Sequence, residues 1–470
     1  MLKKLLCLAL ALVCVLTFAA CGDNNGGKDK TSSNKNSSSK PLESGSRVTS
    51  GGVSENSNIE SEVLESPLAT KDYGGKEFKF YFWYQYGENI DRKISAFNQK
   101  HNAKVTTEIG TEFAEDIAKS IVEGVPYDII ANHSDKFPQS VISDILAPLD
   151  EHLNDERDFF NVNKLDNGGL SKEIIDAFSW GDKKYTAGSA QSIYSMVFYY
   201  NKKMFSDAGL DDPYDLWKNG QWTWDKCIEM SDTVTDIENT TAFLEEIPIF
   251  NWLTLNGVKY VSVDNKNKTA KENLNDPKTL AAIQKWQDLY LSDNPMCSVT
   301  YCSLFGSSKI TYAAVSYTDV YAQWADKALN SAAFDKNAAN LGVVPMPTGL
   351  IEAGTYAGHV PQGYAAAKGA KDTSVAVCYA LFESRLVDSA VGVETQMPPE
   401  IMNAVNVAFA TKGFLGFSGW KDSTGTTPNT YMKELAAQLK EGADVASSVE
   451  ALRPEIAKCL QDTMDLAKAG

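Results

Sequence analysis

Ser192–Asp225, SIYSMVFYYNKKMFSDAGLDDPYDLWKNGQWTWD, decides how the rest of the chain is read. The apolar, aromatic run Ile193 to Tyr200 reads as a buried strand. Asn201, Lys202 and Lys203 lead into a short surface helix ending at Gly209, and a loop containing Pro213 and Gly220 follows. Trp222-Thr223-Trp224-Asp225 then opens a second helix. Thr223 is its N-cap, because a threonine hydroxyl can accept from an otherwise unpaired first-turn N–H. Tyr200 packs, Asn201 holds a turn, Lys202 and Lys203 are solvated, and Trp222 and Trp224 pack the capped helix.

On the N-terminal side the same alternation recurs. Glu77 to Trp83 places Phe78, Phe80 and Phe82 on one face of a strand, and Trp83 to Gly87 is the loop after it. Asn89 to Asn98 carries Ile90, Ile94 and Phe97 at helical spacing. Val105 to Ile109 is a second strand, Phe113 to Glu123 a helix with Ile117 and Ile121 inward, and Asp128 to Ala131 a third strand with Asn132-His133-Ser134 as its exit loop. Strands alternating with helices imply parallel βαβ units, whose ligands sit beyond the carboxyl ends of the strands. Trp180 to Tyr185 reads as a small hairpin, and Ala187 to Tyr200 as a strand pair or one long bent strand.

On the C-terminal side, Lys226 to Tyr290 is mostly helical, interrupted by a hairpin-like stretch at Asn256 to Asn265. Leu280 to Leu291 is an amphipathic helix. Lys309 to Tyr317, Leu341 to Pro347 and Tyr364 to Ala367 read as strands, and helical patterning dominates from Ser374 onward. The chain has no internal repeat. The fold class is α/β, and 470 residues are too many for one ordinary core.

The formal charge of −17 argues against nucleic acid, whose phosphates need a basic surface. Lys3 and Lys4, an apolar run from Leu5 to Ala20, and small residues before Cys21 make residues 1–20 a secretory signal, too short for a comfortable membrane span. Leu16 to Cys21 resembles a bacterial lipoprotein signal, departing from it at Phe18, and the resemblance implies lipidation of Cys21. Residues 21–72, rich in Gly, Ser, Asn and Lys, read as a flexible tether, because they bury too little to offset their ordering entropy. Five cysteines remain beyond the anchor: Cys227, Cys297, Cys302, Cys378 and Cys459. They are no disulfide framework; Cys297 and Cys302 are read either as a local bridge or as free thiols.

Tyr200-Asn201-Lys202-Lys203-Met204-Phe205, Ala208-Gly209-Leu210, Trp222-Thr223-Trp224-Asp225, Asn256-Gly257, Lys309 to Tyr317, Leu341 to Pro347 and Gly363 to Lys368 come in an order that resembles the extracellular solute-binding lipoproteins of ABC importers, in the sugar-binding, maltose-binding-like group. The resemblance spans essentially all of the ordered chain. It implies two α/β lobes, each a mixed sheet flanked by helices, joined by a multi-strand hinge, with ligand held in the cleft between them. It places crossings near Ala187–Ser195, Ser308–Tyr317 and Thr355–Gly363, with lobe 1 as 73–187 plus 312–356 and lobe 2 as 188–311 plus 357–470. It further implies a monomer at the outer face of the bacterial cell membrane, working with the membrane subunits of an ABC permease.

A carbohydrate pocket needs aromatic walls and polar side chains for a rim of hydroxyls. Candidates are Trp83, Tyr84 and Tyr86 after the first strand, Asn132, His133 and Asp135 after the third, and Tyr194, His359 and Gln362 at crossings. Asp319 and Tyr321 follow the strand after the second crossing. Trp252 is read either as a pocket aromatic or as a core tryptophan, and Trp420 either borders the cleft or packs.

No HExxH, phosphate loop, GxGxxG, GxSxG or CxxC occurs, and His101, His133, His152 and His359 are scattered, so no catalytic set, cofactor or metal is expected. The alternatives are a surface-anchored carbohydrate-active enzyme, the same fold binding a peptide or polyamine, or a sensing role.

Overall fold

Alternate aromatic residues make the first strand. The computed structural model describes residues 65–82, 89–159, 168–189, 193–234, 247–292, 313–316, 337–385, 400, 407, 413–414 and 419–469. In β1 (Lys76–Phe82), Phe78, Phe80 and Phe82 point into one core, and Tyr81 into a smaller cluster on the other face of the sheet. α1 (Asn89–His101), β2 (Ala103–Ile109), α2 (Phe113–Val122) and β3 (Ile129–His133) follow. β1 pairs in parallel with β2 and β3, which brings their carboxyl ends to one edge. Ile129 and Ala131 join the main core while Ile130 faces the other cluster, as period-two alternation requires. After α3 (Gln139–Ile142), α4 (Lys172–Ala177) and the hairpin β4 (Ser179–Trp180) with β5 (Lys183–Lys184), the chain enters β6 (Ile193–Asn201).

The second half of the decisive stretch is α5 (Lys202–Asp207), α6 (Pro213–Lys218) and α7 (Trp224–Val234). The N-cap at Thr223 is present: its Oγ1 accepts from the Lys226 N–H at 3.2 Å. Asn201 holds its turn through Lys203 N–H at 3.0 Å, and Tyr200 is fully buried. Two details differ. Residues from Pro213 form a helix, not a loop, because Asp212 caps it by accepting from Tyr214 N–H at 2.8 Å and Pro213 occupies its first turn. Lys202 is not simply solvated but is ion-paired with Glu400.

α8 (Ile249–Leu255), the hairpin β7 (Val261–Asp264) and β8 (Thr269–Glu272), and α9 (Pro277–Leu291) come next. α9 starts with the same Asp-Pro signature, Asp276 accepting from Lys278 N–H at 2.8 Å. β9 (Ala313–Ser316), β10 (Leu341–Pro345), β11 (Ala357–Ala365), α10 (Ser374–Ser384), β12 (Gly413–Phe414), α11 (Pro428–Lys440) and α12 (Val445–Ala469) complete the order.

The two-lobed fold lies in how β11 is shared. Its last four residues pair antiparallel with β3, and residues 359–361 pair antiparallel with β6. β6 also pairs with β9 and β10. One core gathers Phe78, Phe80, Phe97, Ile129, Tyr364 and the helix α10 residues Val375 to Phe382. The other gathers Phe198, Tyr200, Trp222, Trp224, Trp252, Trp286, Val344, Met346, Leu435 and Ile456.

This corrects the expected membership of two segments. Val344 and Met346 were expected in lobe 1, but β10 is hydrogen-bonded to β6 and carries them into the second core. Residues 364–382 were expected in lobe 2, but β11 runs on to pair with β3 and α10 packs behind it. The start of β12 pairs in parallel with the start of β11, and the chain after it, from Trp420, rejoins the second core.

A third correction concerns the tether. Its last part, residues 65–72, is packed rather than extended: Ser66 and Ala69 are buried, and Ala69 N–H donates to Ser66 O at 3.1 Å. Leu68, beside Pro67, is the apolar residue that seats this turn. The signal segment, Cys21, Cys297 and Cys302 lie outside the described residues. Cys227, Cys378 and Cys459 are buried free thiols. Among the described residues no helix is long and apolar enough to cross a membrane.

Candidate functional site

The candidate residues that the structure describes gather where β11 changes partners. Pro361 still pairs with Ile193 of β6, and Gln362, the next residue, pairs with His133 at the carboxyl end of β3. Val360 pairs with Tyr194 and His359 with Ser195. Backbone register alone therefore brings Asn132, His133, Tyr194, His359 and Gln362 to one junction. The Ser134 N–H closes it by donating to Pro361 O at 3.1 Å. Asn132 and His133, expected in an exit loop, are the last two residues of β3.

Two glycines let the backbones meet. A Cβ on Gly188 would stand 2.6 Å from Gln362 O, and one on Gly363 would stand 2.5 Å from Ala187 O. Between them, Ala187 and Tyr364 exchange both backbone hydrogen bonds, at 2.9 and 2.7 Å. Two chain crossings thus lie backbone on backbone, with no side chain between them.

The polar groups at the junction are of two kinds. Asn132 is 1% exposed; its Nδ2 donates to the Thr186 hydroxyl at 2.8 Å, and among the described residues its Oδ1 has no partner. A buried amide oxygen without a donor is costly, so the junction carries an unmet hydrogen-bond acceptor. Asp135 is held between two bases, 2.8 Å from His133 Nδ1 and 3.1 Å from Lys136 Nζ. Burial alone would raise its carboxyl; the hydrogen bond from His133 and the charges of His133 and Lys136 outweigh burial and hold it below the usual carboxylate range. The group is therefore an ionised, oriented acceptor about a quarter exposed.

Among the remaining candidates, Trp252 is a correction. It is fully buried against Trp224, with Nε1 donating to Ala282 O at 2.9 Å, so it is a core residue of the second lobe. Trp420 packs against Trp180. Trp83, Tyr84, Tyr86, Asp319 and Tyr321 lie outside the described residues. Thr186 and Lys136 join the set without having been singled out. Lys136 is the residue after Asp135 and was open to notice. Nothing local marks Thr186, which meets Asn132 only through the topology. Among the described residues no group of three or more His, Cys, Asp or Glu is placed to hold a metal ion.

Two α/β cores joined by crossing strands, with polar groups gathered at the partner switch, define a two-lobed solute-binding protein. A family model described as bacterial extracellular solute-binding protein matches residues 83–377, and the chain belongs to that family. The protein is accordingly an exported binding protein. No curated protein matches it in sequence.

Solved structures share the fold. An ABC substrate-binding protein from Listeria monocytogenes, in complex with cycloalternan, is 17% identical with a TM-score of 0.59, over 82% of this chain and 99% of that one. An extracellular solute-binding protein from Staphylococcus aureus, in complex with maltose, is 11% identical with a TM-score of 0.59, over 82% and 98%. An ABC transporter solute-binding protein from Thermotoga lettingae, bound with α-D-tagatose, is 15% identical with a TM-score of 0.55, over 82% and 100%.

Proposed function

We propose that the protein captures a carbohydrate between its two lobes and delivers it to an ABC permease, held at the outer face of the bacterial membrane by a lipid on Cys21. It binds without turning its ligand over.

The observation that carries this reading is the junction at Pro361–Gln362, where an orphaned buried acceptor on Asn132 lies one residue from His133 and three from the ionised Asp135. A sugar hydroxyl is a donor as well as an acceptor. It suits an amide oxygen and a carboxylate better than an apolar ligand would. Net hydrogen bonds contribute roughly 0.5–1.5 kcal/mol each, so micromolar affinity, about −8 kcal/mol, needs several together with aromatic burial. Trp83, Tyr84, Tyr86, Tyr194 and Tyr321 are the candidates for the aromatic share, with His359 and Asp319 among the polar ones.

The sugars named for structures of this fold, from cycloalternan and maltose to tagatose, support the ligand class. A polyamine would need uncompensated acids, and Asp135 already faces Lys136 and His133.

The test is a thermal-shift screen against monosaccharides, oligosaccharides, amino acids and polyamines, followed by calorimetric titration of the hits. A true ligand at a hundredfold excess over Kd stabilises by about 2.7 kcal/mol through mass action. A response confined to amino acids or polyamines overturns the carbohydrate reading, and release of product from a glycan overturns the binding-only reading.

A further inference from the structure

The turn at Glu65–Tyr73 is attached to lobe 1 far more firmly than the end of a tether requires. The Ser66 hydroxyl donates to the buried Asp158 carboxylate. Arg157 Nη1 donates to Glu65 O at 3.3 Å, and Arg385 lies 3.5 Å from the Glu65 carboxylate. His101, itself buried, places Nδ1 2.9 Å from Lys71 O. Lys71 pairs with Asp372 at 3.2 Å. The turn roofs a thiol: Cys378 Sγ is 3.2 Å from Leu68 O and 3.5 Å from His101 Nδ1.

The same contacts lead to the hinge in few steps. Asp158, which receives Ser66, accepts from Leu170 N–H through its backbone oxygen at 2.7 Å. Phe159 is bridged to Leu170, and Leu170 to Ser189. Ser171 N–H donates to Gly188 O at 2.8 Å, and Gly188 is the glycine packed on Gln362 O. A short ladder, 65–66 to 158–159 to 170–171 to 188–189, thus joins the turn to the crossing.

We propose that Glu65–Tyr73 is a strap that braces the hinge: seated, it holds the 158–159, 170–171 and 187–189 segments in register; released, it loosens the crossing. The strap is the two-state element such a coupling needs. Its seating buries Ser66, Ala69 and Tyr73, and its release uncovers them together with Cys378. Lobe 1 is then the lobe that takes any pull from the N-terminal segment, and lobe 2 the one that swings. Only that last consequence rests on the anchored reading above. The brace itself is read on the protein without ligand, so a failed sugar titration and a failed strap are separate outcomes.

The experiment uses the full chain with Ala69→Glu, which forces a charge under the strap, and Ser66→Ala, which removes its hydroxyl. Seating is read by labelling of Cys378 with iodoacetamide, resolved by peptide mass spectrometry. The hinge is read by hydrogen exchange at the amides of Leu170, Ser171 and Ala187. The amides of Cys227 and Trp252, bonded within the second core, report whether the fold survives. Ala69→Glu is expected to label Cys378 at least tenfold faster and to speed exchange at the three hinge amides at least tenfold, with Cys227 and Trp252 unchanged. Ser66→Ala shifts both readouts in the same direction by a smaller factor and decides the matter if Ala69→Glu fails to fold. Faster Cys378 labelling with unchanged hinge exchange overturns the brace. Unchanged labelling in both variants overturns the strap, since the named contacts would not then be what seats it.

Discussion

Gly363→Ala tests the hinge where the geometry is tightest. The added Cβ would stand 2.5 Å from Ala187 O, 2.8 Å from Thr186 Cγ2 and 3.0 Å from Ala187 C. None of these is the free end of a long side chain that could swing aside. Relief requires the 186–187 segment to move off β11, which weakens the two Ala187–Tyr364 backbone bonds. Two net hydrogen bonds amount to about 1–3 kcal/mol, and overpacking a filled site costs about 1–3 kcal/mol. Because strain and bond loss are alternatives as much as additions, the expected destabilisation is about 2–4 kcal/mol, or a melting temperature lower by about 4–16 °C on the scale of large domains. The move also draws the Thr186 hydroxyl from Asn132 Nδ2, so affinity for the ligand should fall with stability. The assay is a calorimetric melt paired with hydrogen exchange at Tyr364 and a ligand titration. A variant melting within about a degree of the parent, with protected Tyr364 and equal affinity, would refute the close-packed hinge.

Other outcomes follow from named contacts. Trp252→Ala empties a fully buried site and strands Ala282 O, and should cost about 3–5 kcal/mol in a urea titration; in the folded fraction, Kd should be unchanged, and a selective loss of affinity would return Trp252 to the site. Asp135→Asn should weaken solute binding at least tenfold by calorimetry and also lower the neutral-pH melting temperature, since it removes a carboxylate that His133 and Lys136 stabilise in the fold. Because the folded Asp135 carboxyl sits below its ordinary 3.8, its contribution is present above that value and is lost as pH falls through the lower folded one; the stability difference between parent and variant should therefore shrink below about pH 4 and would be misread if it grew instead. Asp212→Ala removes both the cap of α6 and the acceptor of the buried Tyr200 hydroxyl; a loss of about 1 kcal/mol for the cap and about 1–3 kcal/mol for the stranded hydroxyl should appear as a lower urea midpoint.

Much of this was legible because it is local. Phe78, Phe80 and Phe82 announce a strand by alternation, and Thr223 announces a helix start by its hydroxyl and position. What local pattern could not supply was partner choice. Leu341–Pro345 reads equally well as a strand of either lobe, and only its pairing with β6 decides. Trp252 carries no mark distinguishing a core ring from a pocket ring; its burial comes from α7 and α9, distant in sequence. The helix at Pro213 was open to notice, since Asp-Pro at a helix start recurs at Asp276-Pro277, but a proline beside a nearby glycine reads first as a loop.

Asn132, His133 and Asp135 could be nominated from the sequence because they lie at the carboxyl end of a parallel strand, the kind of position where ligands bind. Thr186 was invisible because its partner lies 54 residues away in the chain.

The shared strand β11 has a consequence for how the protein comes into being. Asn132 and Gly363, neighbours in the sheet, are separated by about half of the chain. While only the first three strands have been synthesised, β3 faces no partner on that side, and Val375 to Phe382, which fill the core behind it, do not yet exist. Pairing across so long a loop is slow, because closure entropy comes before any contact rewards it. The first lobe of a nascent chain of this design stays open until β11 and α10 are made, roughly four-fifths of the way through synthesis. For an exported protein, that delay means the first lobe lacks its closing strand while most of the chain is being made.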